Sequence, residues 1–346
     1  MKVARLYDYL DVRLEDEPTP LIGPQDALVR THACGICSGD VVSWYIRKKA
    51  PLVFGHEPVG EIVRVGSEVS AFRPGDRVFA HHHAPCWKCR ACARGEFVQC
   101  ATWRSSRIEP GGMAEYFRVP AANLAGDTLR LPDGVPDEDG ALVEPLACVV
   151  KSLTRAGRIE DASILVIGLG VMGLMHVLLA RHWGAGRILA ADLLPQRCDR
   201  ARALGADDVI DAKAGDLEAQ VAELTRGEGA EVVIVGPATV TAIEQGLGCA
   251  GRGATVVQFM GTQPGSTVAL PTFDVYFREI RLIPSYSCGP VETRTALELI
   301  EAKVVTAAHV VTHRFPLARV AEAYRVAAED MSAIKTLVTF PTDSER

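Results

Sequence analysis

Four cysteines fall within one short polar segment, HHHAPCWKCRACARGEFVQC, at Cys86, Cys89, Cys92 and Cys100, with the spacing C-x2-C-x2-C-x7-C. Four thiolates so spaced can close a tetrahedral site around Zn2+ and leave no position for a reactant, which is the chemistry of a structural metal. Lys88, Arg90 and Arg94 in the same segment offset part of the negative charge. An iron–sulfur cluster would accept the same ligands, and unliganded buried cysteines do not suit so polar a segment. A second group of metal-ligand types is scattered more widely. THACGICSGD supplies Cys37 and Asp40, FGHEPVGEIVRVG supplies His56 and Glu57, and LVEPLACVV supplies Glu144. A thiolate, an imidazole and a carboxylate around one open position describe a catalytic zinc, the open position taking water or a substrate oxygen.

A third chemistry lies in GLGVMG, residues Gly168, Leu169, Gly170, Val171, Met172 and Gly173. The motif follows the strand-like ILVIG and opens a helix-like stretch. Its glycines permit a tight turn and a close backbone approach to a pyrophosphate, which would rest on the helix N-terminus. Asp192 ends the next strand-like run, RILAAD. Its carboxylate can accept hydrogen bonds from ribose hydroxyls and would repel a 2′-phosphate, favouring NAD over NADP. Arg197 nearby softens that preference.

These groups need a scaffold to position them. The chain of 346 residues is longer than one core usually serves, so two domains are expected. From about Lys2 to Pro145, short apolar runs broken by Gly and Pro (ALVRTHACGIC, PVGEIVRVGSEV, PGDRVFA) read as a mostly β segment. From about Leu146 the texture alternates. Strands are expected at Ile164–Gly168, Arg187–Asp192, Asp208–Ile210, Glu231–Val235, Ala254–Phe259 and Ile280–Ser285, with helices near Val171–Gly184, Gln196–Leu204 and Leu217–Thr225. Six strands with helical crossovers predict an α/β, doubly wound parallel sheet. Helices near Thr293–Ala302 and Leu317–Glu329 and a strand Thr336–Phe340 close the chain. The formal charge of −6, with no basic cluster, argues against nucleic acid as the partner. No apolar run reaches the roughly 18 residues of a membrane span, and MKVARLYDYLDV carries no apolar signal core. A cytoplasmic setting is therefore expected, where clustered thiols bind metal rather than pair.

Taken together, the motifs resemble the zinc-dependent medium-chain alcohol dehydrogenases, most closely the polyol (sorbitol-type) and threonine dehydrogenase branch. They are GIC…D at Gly35–Asp40, GHE at Gly55–Glu57, PGDRV at Pro74–Val78, the four-cysteine lobe, GGMAEY at Gly111–Tyr116, EPLAC at Glu144–Cys148 and GLGVMG, in the family's order. The resemblance implies a GroES-like catalytic domain over residues 1–145 and 288–346, and a Rossmann domain that binds NAD over 146–287. It also implies a small-molecule alcohol or polyol substrate and a homo-oligomer, dimer or tetramer. Cys37 and His56 follow as ligands of the catalytic zinc, with Glu57 and Glu144 both eligible as the acid. Lys335, in AIKTLVTF, is expected at cofactor or interdomain contacts, facing the pyrophosphate. One departure stands out. The family reads C-x-S/T-D-x-H and relays a proton from the hydroxyl to the histidine, whereas this chain runs Cys37, Ser38, Gly39, Asp40, Val41, Val42. Asp40 is then left to fix local geometry. The run His81–His82–His83 offers a substitute proton carrier, with His81 and His83 on one side and His82 on the other if the chain stays extended. A metal-free reductase of the same fold, or a zinc-ribbon binding protein, would leave one or both sets of metal-ligand residues without use.

Overall fold

The computed structural model describes residues 1–340. The chain divides into two compact units, Met1–Ala147 together with the chain from Cys288 onward, and Cys148–Ser287.

The first unit is built on the ten-residue strand Ala27–Ile36, ALVRTHACGI, which is buried along most of its length. Across the sheet the order is Val311–Pro316, Lys335–Thr339, Ala27–Ile36, Glu57–Val65, Arg77–Ala80, Thr128–Arg130. Tyr116–Val119 pairs with the opening half of Ala27–Ile36. Val311–Pro316 and Lys335–Thr339 run parallel, and the other pairings are antiparallel. Register matters to the site. Gly35 lies opposite Glu57 on one side and Leu337 on the other, and Ile36 lies opposite Thr336. The end of the central strand therefore delivers Cys37 beside the start of the Glu57 strand and the Lys335 strand. A smaller sheet of Asp11–Asp16, Lys2–Asp8 and Leu52–Val53 covers this region. Below it, the helix Val320–Glu329 buries Tyr324, whose ring meets Phe54 edge-on at 5.5 Å and whose hydroxyl donates to the Asp40 carbonyl at 2.6 Å.

The second unit holds six parallel strands in the order Asp208–Asp211, Arg187–Asp192, Ser163–Ile167, Ala230–Val235, Ala250–Gln258, Arg281–Pro284. Runs such as ILVI, from Ile164, and VVIV, from Val232, are apolar throughout because helices can cover both faces of a parallel sheet. Leu165, Leu189, Ile210, Val233 and Val256 form its core. The expected doubly wound sheet is present. Its first strand sits in the middle, with the next two on one side and the last three on the other. Ligands bind such sheets at the carboxyl end of the strands where the order reverses, which is where the turn Gly168–Gly173 stands. Helices at Val240–Gly248 and Thr272–Phe277 and the strand Val311–Pro316 go beyond the expected elements. Among the described residues, no helix is long and apolar enough to cross a membrane.

Candidate active site

Cys37 ends the central strand and caps the single helical turn Ser38–Val41, its Sγ accepting the Gly39 N–H at 3.3 Å. His56 and Glu57 come from the turn that begins the neighbouring strand. One ligand atom from each of Cys37, His56 and Glu57 lies within 4.8 Å of the other two. Asp40 is buried in the helical turn, with its carboxylate 3.5 Å from His56 Nδ1. Burial presses the His56 pKa down, but the charges of Asp40 and Cys37 outweigh it and hold the value well above the ordinary one. The surroundings of the ring thus favour positive charge.

Glu57 is fully buried. Its Oε2 accepts the Lys335 ammonium, and its Oε1 has no hydrogen-bond partner among the described residues. Lys335 also donates to the Ile36 carbonyl at 3.1 Å. Burial would depress its pKa, yet the Glu57 carboxylate more than compensates and keeps it charged. Gly35 makes room for this pair, since a Cβ there would overlap Glu57 Oε2 and come within 2.8 Å of Lys335 Cε. These contacts correct the expectation for Lys335. Its strand turns the side chain inward, where a buried carboxylate holds it, and its ammonium is not left free for a pyrophosphate. The sequence carried no sign of this ion pair, because the two residues lie on strands far apart in the chain.

Glu144, buried in the first turn of Val143–Ala156, falls in an adjoining group with His81 and His82, again within 4.8 Å. Of the two acids left open by the sequence, Glu57 is the one that stands with Cys37 and His56. The histidines do not alternate as on a strand, because the strand Arg77–Ala80 has ended and the chain bends at His82. Ser38 is exposed on the helical turn.

The donor set fits a zinc ion: one soft thiolate, one imidazole and one carboxylate oxygen, with Glu57 Oε1 unpaired and buried beside them. The four-cysteine lobe fits one too. Its Sγ separations are 4.0 Å for Cys86–Cys92, 3.5 Å for Cys89–Cys92 and 3.6 Å for Cys86–Cys100. A tetrahedron of Zn–S bonds of about 2.3 Å has edges of about 3.8 Å. Against the upward push of burial, the N–H groups of Cys86 and Trp103 draw the Cys100 thiol down to about 6, while burial and the Cys89 sulfur push Cys92 up to about 12. Crowded sulfurs resist shared ionisation, and a divalent cation removes that conflict.

In the second unit, Gly168 has φ +87° and Gly170 caps the helix Val171–His182. A Cβ at Gly170 would meet nothing within 4 Å, whereas one at Gly173 would overlap the Gly168 carbonyl. The first glycine makes the turn, the second leaves open ground at the helix N-terminus, and the third lets the helix pack close. That arrangement fits a pyrophosphate. Val171 is buried and Met172 half-buried in the first helical turn. Asp192 accepts the Leu169 N–H at 2.6 Å and the Leu194 N–H at 2.9 Å, tying the glycine turn to the end of the neighbouring strand. This second duty of Asp192 was not legible from its position in the motif. Arg197 is half-buried on the helix Pro195–Ala203.

Known proteins resemble the chain along most of its length. The alcohol dehydrogenase GroES-like domain family matches residues 23–133, and the zinc-binding dehydrogenase family matches residues 171–302. The chain is 31% identical over 350 residues to a sorbitol dehydrogenase of Bombyx mori, covering 97% of each protein. It is 33% identical over 309 residues to an L-threonine 3-dehydrogenase of Bacillus licheniformis, covering 87% of each. A zinc-binding dehydrogenase of Sinorhizobium meliloti 1021, solved with NADP, superposes with a TM-score of 0.87 at 28% identity, covering 98% of each chain.

Proposed function

Since this chain belongs to the zinc-dependent medium-chain alcohol dehydrogenase family, in its polyol and threonine dehydrogenase branch, we propose that it oxidises a secondary alcohol of the polyol or cyclitol class reversibly to the ketone, with NAD+ as acceptor. The observation that carries this reading is the convergence of Cys37, His56 and Glu57 within 4.8 Å. These side chains would hold the catalytic zinc, with Glu144 next to them, and Cys86, Cys89, Cys92 and Cys100 would hold a structural one. When bound, the zinc supplies Lewis acidity toward the carbinol oxygen and the dinucleotide supplies the hydride acceptor.

The chain's own residues prepare that centre. The Gly39 N–H steadies the Cys37 sulfur. Asp40 stands beside His56 Nδ1 and would orient the ring, as a carboxylate paired with a ligating histidine does. Lys335 neutralises one oxygen of Glu57 and leaves the other available. Asp192 supports NAD over NADP, because a carboxylate at the end of the second strand would accept ribose hydroxyls and repel a 2′-phosphate. Ten free cysteines support a reducing, cytoplasmic setting. A second copy of this chain would pair along the exposed edge strand Arg281–Pro284 and the aromatic helix Thr272–Phe277 beside it.

Metal analysis and turnover test the reading together. Wild-type protein should carry about two zinc ions per chain and reduce NAD+ in the presence of polyols, followed at the absorbance of NADH. Cys37→Ser should keep the fold, lose about one zinc and lose turnover by at least about a hundredfold. Full activity in thoroughly chelated protein would overturn it.

A further inference from the structure

Two histidines of the run His81–His82–His83 have evident work within the fold. His81 Nδ1 meets Asp127 Oδ2 at 2.6 Å, its carbonyl accepts Asn123 Nδ2 at 3.0 Å, and its N–H donates to the Asp127 carbonyl at 3.0 Å. The other oxygen of Asp127 takes the Thr293 hydroxyl at 2.6 Å. His83 Nδ1 lies 2.8 Å from the Ser106 carbonyl, its ring rests 4.1 Å from that of Trp103, and the Ala84 N–H donates to Ser106 Oγ at 2.8 Å. The chain is therefore fastened on both sides of His82.

His82 itself lacks such work. Its Nδ1 is buried and has no hydrogen-bond partner among the described residues. Its ring centroid stands 4.9 Å from that of His56, and one of its ring nitrogens lies within 4.8 Å of a Glu144 oxygen. A buried, unpaired imidazole nitrogen is costly to keep, and such exceptions call for a partner. The ring that carries the orphan atom stands beside His56, one of the three side chains assigned to the catalytic centre.

We propose that His82 is a specificity-determining residue that hydrogen-bonds a second hydroxyl, on the carbon next to the carbinol, so that the site prefers vicinal diols and polyols to simple secondary alcohols. The inference rests on the reading above that Cys37, His56 and Glu57 form the alcohol-oxidising centre. A hydroxyl both donates and accepts, so it satisfies Nδ1 in either tautomer of the ring. A methylene in the same place leaves Nδ1 unpaired, and sites built to pair with a substrate hydroxyl strongly reject analogues that lack it.

Matched pairs test this on the zinc-loaded enzyme: 2,3-butanediol against 2-butanol, and trans-cyclohexane-1,2-diol against cyclohexanol, each with NAD+. In wild type, kcat/KM favours the diol of each pair. In His82→Phe, which keeps an aromatic ring, the diol-to-monool ratio falls by at least about tenfold. His82→Asn, whose amide nitrogen stands close to the place of Nδ1, recovers part of the ratio. Calorimetric titration of trans-cyclohexane-1,2-diol and of cyclohexanol into the enzyme with NADH bound gives a reading independent of turnover. The diol's advantage in binding should shrink in the Phe variant in parallel with the kinetic ratio. An unchanged ratio in both variants overturns the proposal, as does an equal loss on diol and monool. Loss of one zinc per chain in His82→Phe makes His82 a ligand and also overturns it. Failure of the underlying reading looks different: wild type then oxidises neither member of either pair, and the inference falls with it.

Discussion

Glu57 shows how closely the centre is tuned at the scale of single residues. A carboxylate removed from water is tolerable only with a partner, and breaking a buried ion pair costs about 3–5 kcal/mol because a charge is stranded. Lys335 supplies that partner, and Gly35 supplies the space for it. In chelator-treated protein, Lys335→Met should therefore lower stability toward urea by about 3–5 kcal/mol. Added zinc should recover part of the loss, because a cation at Cys37 and His56 gives Glu57 a second counter-charge. A variant as stable as wild type without metal would show that the pair contributes nothing. The motif GIC…GHE was readable as a ligand set from residue types alone. Its dependence on Lys335 was not, since the pairing arises only when the strand Lys335–Thr339 takes its register beside Gly35.

At the scale of elements, the central strand must keep its register for Cys37 to meet His56, and one carboxylate helps to lock it. Asp137 sits at the start of the short helix Asp137–Gly140. It bonds His32 Nδ1 from the central strand at 3.0 Å, and Arg77 from the strand Arg77–Ala80 at 2.6 Å and 3.1 Å. Burial would raise its pKa, but the bonds to His32 and Arg77 prevail and hold it below the ordinary 3.8. A depressed carboxylate stabilises the fold above its unfolded pKa, and that contribution fades as pH falls through the lower, folded value. Asp137→Asn should therefore cost about 1 kcal/mol near neutral pH, a figure discounted for partial exposure. Its urea midpoint should converge with that of wild type below pH 3.8. A difference that persists at low pH would exclude the ionic origin. The parallel strands were legible because Ile164–Ile167 and Val232–Val235 are unbroken apolar runs. The helix Val240–Gly248 was hidden by its three glycine and threonine positions, Thr241, Gly246 and Gly248, which weaken helical propensity. The strand Val311–Pro316 was hidden by the consecutive polar residues Thr312, His313 and Arg314, which break the alternation of a strand, and by its closing proline.

At the scale of the whole molecule, each unit closes its own core, yet the sheet of the second unit ends on an edge. The strand Arg281–Pro284 is mostly exposed, and the preceding helix presents Phe273, Tyr276 and Phe277 at 72%, 73% and 61% exposure. Phe273 and Phe277 already touch, with ring centroids 4.6 Å apart. Contiguous exposed aromatics beside an open strand edge are a liability in a lone monomer and an asset at an interface. A second copy related by a two-fold axis could lay its own edge antiparallel to this one and cover both aromatic helices, since a two-fold interface is self-complementary. The oligomer implied by the resemblance thus acquires a definite surface in the proposal made above. Light scattering on a sizing column should give wild type the mass of a dimer or tetramer. Phe273→Asp combined with Tyr276→Asp should shift it toward the monomer's 37.2 kDa while far-ultraviolet circular dichroism stays the same. A wild type that runs as a monomer, or a double variant that keeps the full assembly, would remove this edge from consideration as the interface.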